Sequence, residues 1–194
     1  DLTPYVRRNF YVVPSRRFTS APWSLERGEV EALMAKIRRG GVPLTDYLGT
    51  KIYYGVKTGL NEAFLIDTPT RNRLIAHDTR AAAVISPYLR GQDVKRWSPD
   101  WAGLWMILLK SSENQAWPWS EAGENAEDVF AAAYPALYGH LKPLEDKLRV
   151  RQDKGRFWWE LRSCAYYDIF TQPKIVHTDI TWQPQFAFVQ KPMY

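Results

Sequence analysis

Apolar and polar positions alternate between two periods along the chain, one helical and one extended. Val30, Leu33, Met34 and Ile37 recur at helical spacing after Ser24, a good N-cap, and Gly40-Gly41 ends that run. Helix is therefore expected from Leu25. Lys51–Tyr54 and Ala63–Asp67 read as strands, punctuated by Gly55 and Gly59. Thr68 followed by Pro69 predicts a helix to about His77, and Asp78 caps a further helix that stops near Pro87. Gly103–Leu109 is the best strand of the middle. After a polar loop come Val129, Phe130, Leu137, Leu141, Leu144 and Leu148, a helical pattern that Pro135 and Pro143 should split. Lys174–His177 and Phe186–Val189 return to strand.

Short strands mixed with helices, without strict alternation, predict an α+β fold. The first 23 residues, with Pro4, Pro14 and Pro22 and paired arginines, read as an extended arm or linker, followed by one domain over 24–194. The Asp-Leu-Thr-Pro start suggests an excised fragment. No apolar run approaches the roughly 18 residues that span a bilayer, so no membrane partner is expected. Cys164 is the only cysteine, which excludes an intrachain disulfide and fits a reducing, cytoplasmic compartment.

A net charge of +5 is moderate, so its distribution carries the information. Glu121, Glu124, Glu127 and Asp128 gather the acid, whereas the cations form pairs and a run through Lys147, Arg149, Arg151, Lys154 and Arg156. Such clusters can attract phosphates by releasing counterions, or can be solvated helix surface.

Several chemistries lack their residues. An amino-group methyltransferase needs a glycine-rich cofactor loop and a Pro-Pro-aromatic step for a flipped base, yet no two prolines are adjacent. No catalytic residue is assigned. Pro99-Asp100 and Glu145-x-Lys147 match the letters of a metal-dependent nuclease, but their wide separation and a helical setting favour charged surface. His77, His140, His177 and Cys164 have no ligand spacing, so no metal site is assigned.

Recognition chemistry is what remains. In Asp153–Arg162, cations flank three aromatics around Gly155. Lys154, Arg156 and Arg162 suit phosphates and guanine edges, and Trp158 can stack on a base or turn into the core beside Trp159. Gly155 would let the backbone approach a groove. Arg90 can face DNA or pair with Asp93, while Lys95 and Arg96 precede a Trp97 expected to be packed. Lys57 and Thr58 sit in the glycine turn, where backbone geometry is the main role of Gly55 and Gly59.

The words Gly55-Val-Lys-Thr-Gly-Leu-Asn-Glu-Ala-Phe64, Pro87-Tyr-Leu-Arg-Gly-Gln-Asp-Val-Lys-Arg-Trp97, Tyr134–Leu144, Asp153–Arg162 and Pro173-Lys-Ile-Val176 stand in an order that resembles the TaqI-like C-terminal specificity domain. That module recognises DNA targets in type II restriction–modification enzymes and related adenine-specific methyltransferases, phage-defence enzymes among them. The resemblance implies a fold like that of DNA-methylase specificity domains, double-stranded DNA as partner, and a methyltransferase domain elsewhere in the parent holding S-adenosylmethionine. The candidate DNA contacts are Lys57, Thr58, Arg90, Lys95, Arg96, Lys154, Arg156, Trp158 and Arg162, and because both cation groups flank glycine loops and phosphate clamping needs converging cations, Lys154, Arg156 and Arg162 are expected on one face with Arg90, Lys95 and Arg96. A module that only docks on a methyltransferase or defence partner is the alternative. Two departures, His177-Thr-Asp-Ile-Thr181 and an end at Tyr194, imply an incomplete second half.

Overall fold

The structure, a computed structural model, describes residues 1–20, 22–49 and 51–194. Ala21 of the expected arm and Thr50, ahead of an expected strand, lie outside the described residues. The chain forms two compact units, Asp1–Tyr54 and Gly55–Tyr194.

In the first unit, α1 (Thr3–Asn9) occupies part of the stretch read as extended. Pro4 sits in its first turn, where a missing N–H costs nothing. α2 (Gly28–Gly40) begins three residues later than expected, because Ser24 Oγ accepts from Glu26 N and closes a local turn instead of capping a helix. The stripe Val30, Leu33, Met34 and Ile37 forms as the spacing predicts, and it is exposed. α3 (Leu44–Leu48) ends on Gly49 in the left-handed region. Lys51–Tyr54 forms no strand, and its tyrosines are exposed.

The second unit is built on a three-stranded antiparallel sheet of order β1 (Leu65–Ile66), β3 (Trp105–Ile107), β2 (Ile85–Pro87). Leu65 faces Met106, and Ile85 faces Ile107. As the central strand, β3 buries Met106 and Ile107 on both faces, and this accounts for its unbroken apolar run. Two expectations are corrected here. Ala63 and Phe64 end a one-turn helix, α4 (Asn61–Phe64), leaving only two residues of the expected strand extended. Asp78 caps a 3₁₀ segment, Thr79–Val84, rather than a helix running to Pro87, since pairing with β3 draws Ile85–Pro87 into the sheet.

α5 (Thr68–His77) forms where the Thr-Pro signal places it, though Asp67, not Thr68, is the cap: its carboxylate accepts from Thr70 N at 2.8 Å. The prolines divide the helical region as anticipated into α6 (Ala126–Ala133), α7 (Pro135–Leu141) and α8 (Glu145–Val150). Aromatic rings fill the core between them and the sheet. Phe157, Trp159 and Phe130 stack in series, with centroids 4.9 and 5.0 Å apart. β4 (Lys174–His177) and β5 (Phe186–Val189) pair as an antiparallel hairpin. The fold is mixed α+β.

Candidate nucleic-acid interface

Gly59 lies at φ +68°, and a side chain there would stand 2.7 Å from the Asp153 carbonyl oxygen. Glycine is what lets the 55–59 turn press onto the segment after α8. A buried guanidinium locks the two together. Arg151 donates to the carbonyl oxygens of Thr58, Trp158 (3.0 Å) and Glu160. With no carboxylate hydrogen-bonded to it, burial pulls its pKa down to about 10.

The loop beyond Arg151 is held from within by Glu160, which is fully buried. Its carboxylate accepts from Ser112 N (3.1 Å), Ser112 Oγ, Trp119 Nε1 (2.9 Å) and Phe157 N (3.3 Å). Gly155 is packed against this side chain, 2.7 Å from it were a Cβ present. It therefore faces inward and serves loop closure, which corrects the expectation that it opens the backbone to a groove.

Around this core the turn and loop present exposed cations. Lys57 borders an open depression lined by Val56, Thr58, Gly59, Leu60, Asn61 and Asp153. Arg162 pairs with Asp153 at 3.1 Å, Lys154 reaches the Arg149 carbonyl, and Arg156 stands 3.9 Å from exposed Glu121 and beside the Phe157 ring. Thr58 is buried and donates to Asn61 Oδ1 at 2.6 Å, so its hydroxyl faces the turn, not solvent. Trp158, 5% exposed, gives its Nε1–H to Glu127 and lies under Lys142 and Arg149. Its place is in the core with Trp159. Glu127 is itself drawn below the usual carboxylate range, because hydrogen bonds from Lys142 and Trp158 outweigh its burial.

The second cation group takes a different place. Arg90 forks onto Asp93, with nitrogen–oxygen distances of 2.7 and 3.0 Å, while Asp93 Oδ2 also accepts from Arg90 N. This hydrogen-bonded pairing holds the Asp93 carboxyl below its usual range. Of the two roles open to Arg90, the loop anchor is the one formed. Lys95 donates to the Gln92 carbonyl oxygen at 2.8 Å, and Arg96 lies over the Trp97 ring. Trp97 is 71% exposed, contrary to the expected packing, and its backbone is left-handed at φ +79°.

The Arg151 clasp joins Lys57 to the loop of Lys154, Arg156 and Arg162, while Arg90, Lys95 and Arg96 belong to the loop that the Arg90–Asp93 pair anchors. Tyr88 N bonds Leu104 O just before β3, and Leu161 N bonds Leu109 O two residues after it.

Arg151 and Trp97 are the residues missed from sequence. Arg151 stood inside a run of five cations, and nothing in that run distinguishes the one that turns inward. Among the described residues no cluster of three or more His, Cys, Asp or Glu could hold a metal ion, and no helix is long and apolar enough to cross a membrane. No family model matches the chain, and no curated protein matches it.

Proposed function

We propose that this chain is the DNA target recognition domain of an adenine-N6 DNA methyltransferase of the type II restriction–modification kind, acting in the cytoplasm. The observation that carries this reading is the Arg151 clasp, which fixes the glycine turn with Lys57 to the loop with Lys154, Arg156 and Arg162. Preordered cations lose little entropy on meeting a phosphate backbone. Their acidic neighbours Glu121 and Asp153 form only exposed or half-exposed pairs with them, which phosphate can displace. The residues present do not fit S-adenosylmethionine, for want of a glycine-rich loop; the cofactor and the methyl transfer belong to the parent's catalytic domain. Binding and register are this chain's part.

A docking role without base reading has one specific support. Ile175 and Phe188 are paired on one face of the β4–β5 hairpin, with Phe186 beside them, and all three are exposed. Such an apolar face suits a protein neighbour.

The test is a titration of labelled duplex between 50 and 200 mM salt, comparing the chain with a Lys154→Ala/Arg156→Ala/Arg162→Ala variant. Loss of three phosphate contacts should flatten the slope of log K against log salt by about 2.7. An unchanged slope would refute the placement of DNA on this loop.

A further inference from the structure

Bulky residues rarely hold a left-handed backbone, and surrounding structure must enforce it where they do. At Trp97 the enforcement is visible. Trp97 N donates to Phe186 O at 2.7 Å, Phe188 N donates to Trp97 O at 3.3 Å, and Lys95 N donates to Ser98 O at 3.2 Å. A bridge between Val94 and Pro99 closes the loop below it. The strand edge of β5 thus clamps the residue from one side and its own loop from the other. A glycine would meet this conformation without strain. Instead the site holds the largest side chain and leaves 71% of it in water.

The surroundings of the ring favour one kind of ligand. Arg96 has its guanidinium 5.4 Å from the ring centroid, and exposed Lys95 precedes it. Phe186 and Phe188 grip Trp97 through their backbones, and His177 lies 5.8 Å from the Phe186 ring. An apolar protein segment would gain nothing from the two cations. A nucleic-acid strand with unpaired bases uses both features, since a π-face stacks on the Trp97 ring while phosphates meet Lys95 and Arg96. We infer that Trp97 is a stacking residue for an unpaired nucleobase, in a second nucleic-acid site carried on the Val94–Pro99 loop. The inference rests on the DNA-binding reading for its class of ligand, and places in that ligand a base out of its duplex stack.

The experiment is fluorescence anisotropy with labelled twelve-residue oligo-dT and with a fully paired duplex, on the full chain and on Trp97→Gly and Trp97→Phe. Glycine suits the backbone, so Trp97→Gly should unfold at the same temperature or higher. Its oligo-dT affinity should fall about tenfold, within the range that one base–aromatic stack supplies. Trp97→Phe should keep most of it, and Lys154→Ala should leave it unchanged. Duplex binding without oligo-dT binding overturns this inference and leaves the proposed function standing; binding of neither overturns both. Equal oligo-dT affinity in Trp97→Gly overturns the stacking role. So does a concentration-dependent dimer of the wild-type chain that Trp97→Gly abolishes, which would make the patch a protein contact.

Discussion

A guanidinium buried without a hydrogen-bonded carboxylate must be compensated by backbone carbonyls, and Arg151 uses those of Thr58, Trp158 and Glu160. Replacing it by Met removes the charge but strands those acceptors. Arg151→Met should cost about 2–4 kcal/mol, read as a lower urea midpoint with an unchanged slope. Glu160 sets up a second test. Its four donors need an acceptor-only group, so Glu160→Gln turns an amide N–H₂ toward at least one of them. A loss of about 2 kcal/mol is expected, and an unaffected midpoint would mean the network is not formed. At this scale the sequence showed which residue types were present but not which way they turn. Trp158 and Trp159 suggested alternation, one inward and one outward. Both are buried because Phe157–Glu160 is a turn, closed by Glu160 N donating to Phe157 O at 3.1 Å, and a turn has no period of two.

Elements were legible wherever the signal was local. Proline has no N–H to give a preceding turn, so Pro135 and Pro143 had to break the helical run, and they do. β3, β4 and β5 followed from short apolar runs. What failed was set by distant partners. Ile85–Pro87 is extended because β3, some twenty residues further along the chain, pairs with it. One element carries a pH dependence. His140 on α7 is half-buried and donates Nε2–H to the Ala63 carbonyl at 3.1 Å, joining α7 to α4. Desolvation lowers its pKa below the usual 6.5 despite that bond. The unfolded chain therefore takes up the proton first as pH falls. Stability from this residue is full above pH 6.5 and declines as the pH drops from there through the lower folded value. The unfolding temperature should fall between pH 7.5 and 5.5, and His140→Gln, which keeps a donor but cannot titrate, should reduce that fall. Identical curves for the two proteins would remove His140 as the cause.

For the second unit as a whole, a run of charge in the sequence does not tell which cations one support holds together. Lys147 and Arg149 pair with Glu62, Glu127 and Glu145, and Arg90 with Asp93, whereas Lys57, Lys154, Arg156 and Arg162 are the cations on the turn and loop that Arg151 holds together. Nonspecific attraction to phosphate would follow from such a surface alone; target recognition requires that some side chain also read bases. On the proposed reading that residue is Arg156, which is exposed and carried on a loop braced by stacked rings. Selection from a randomised duplex library by the purified chain, at 150 mM salt with competitor DNA, separates the two cases directly. Enrichment of one short motif is expected, with Arg156→Ala relaxing preference at one base pair at a cost of about 1–3 kcal/mol. A library that stays random after repeated rounds, while duplex is still bound at low salt, would contradict target recognition and leave only a phosphate-binding surface.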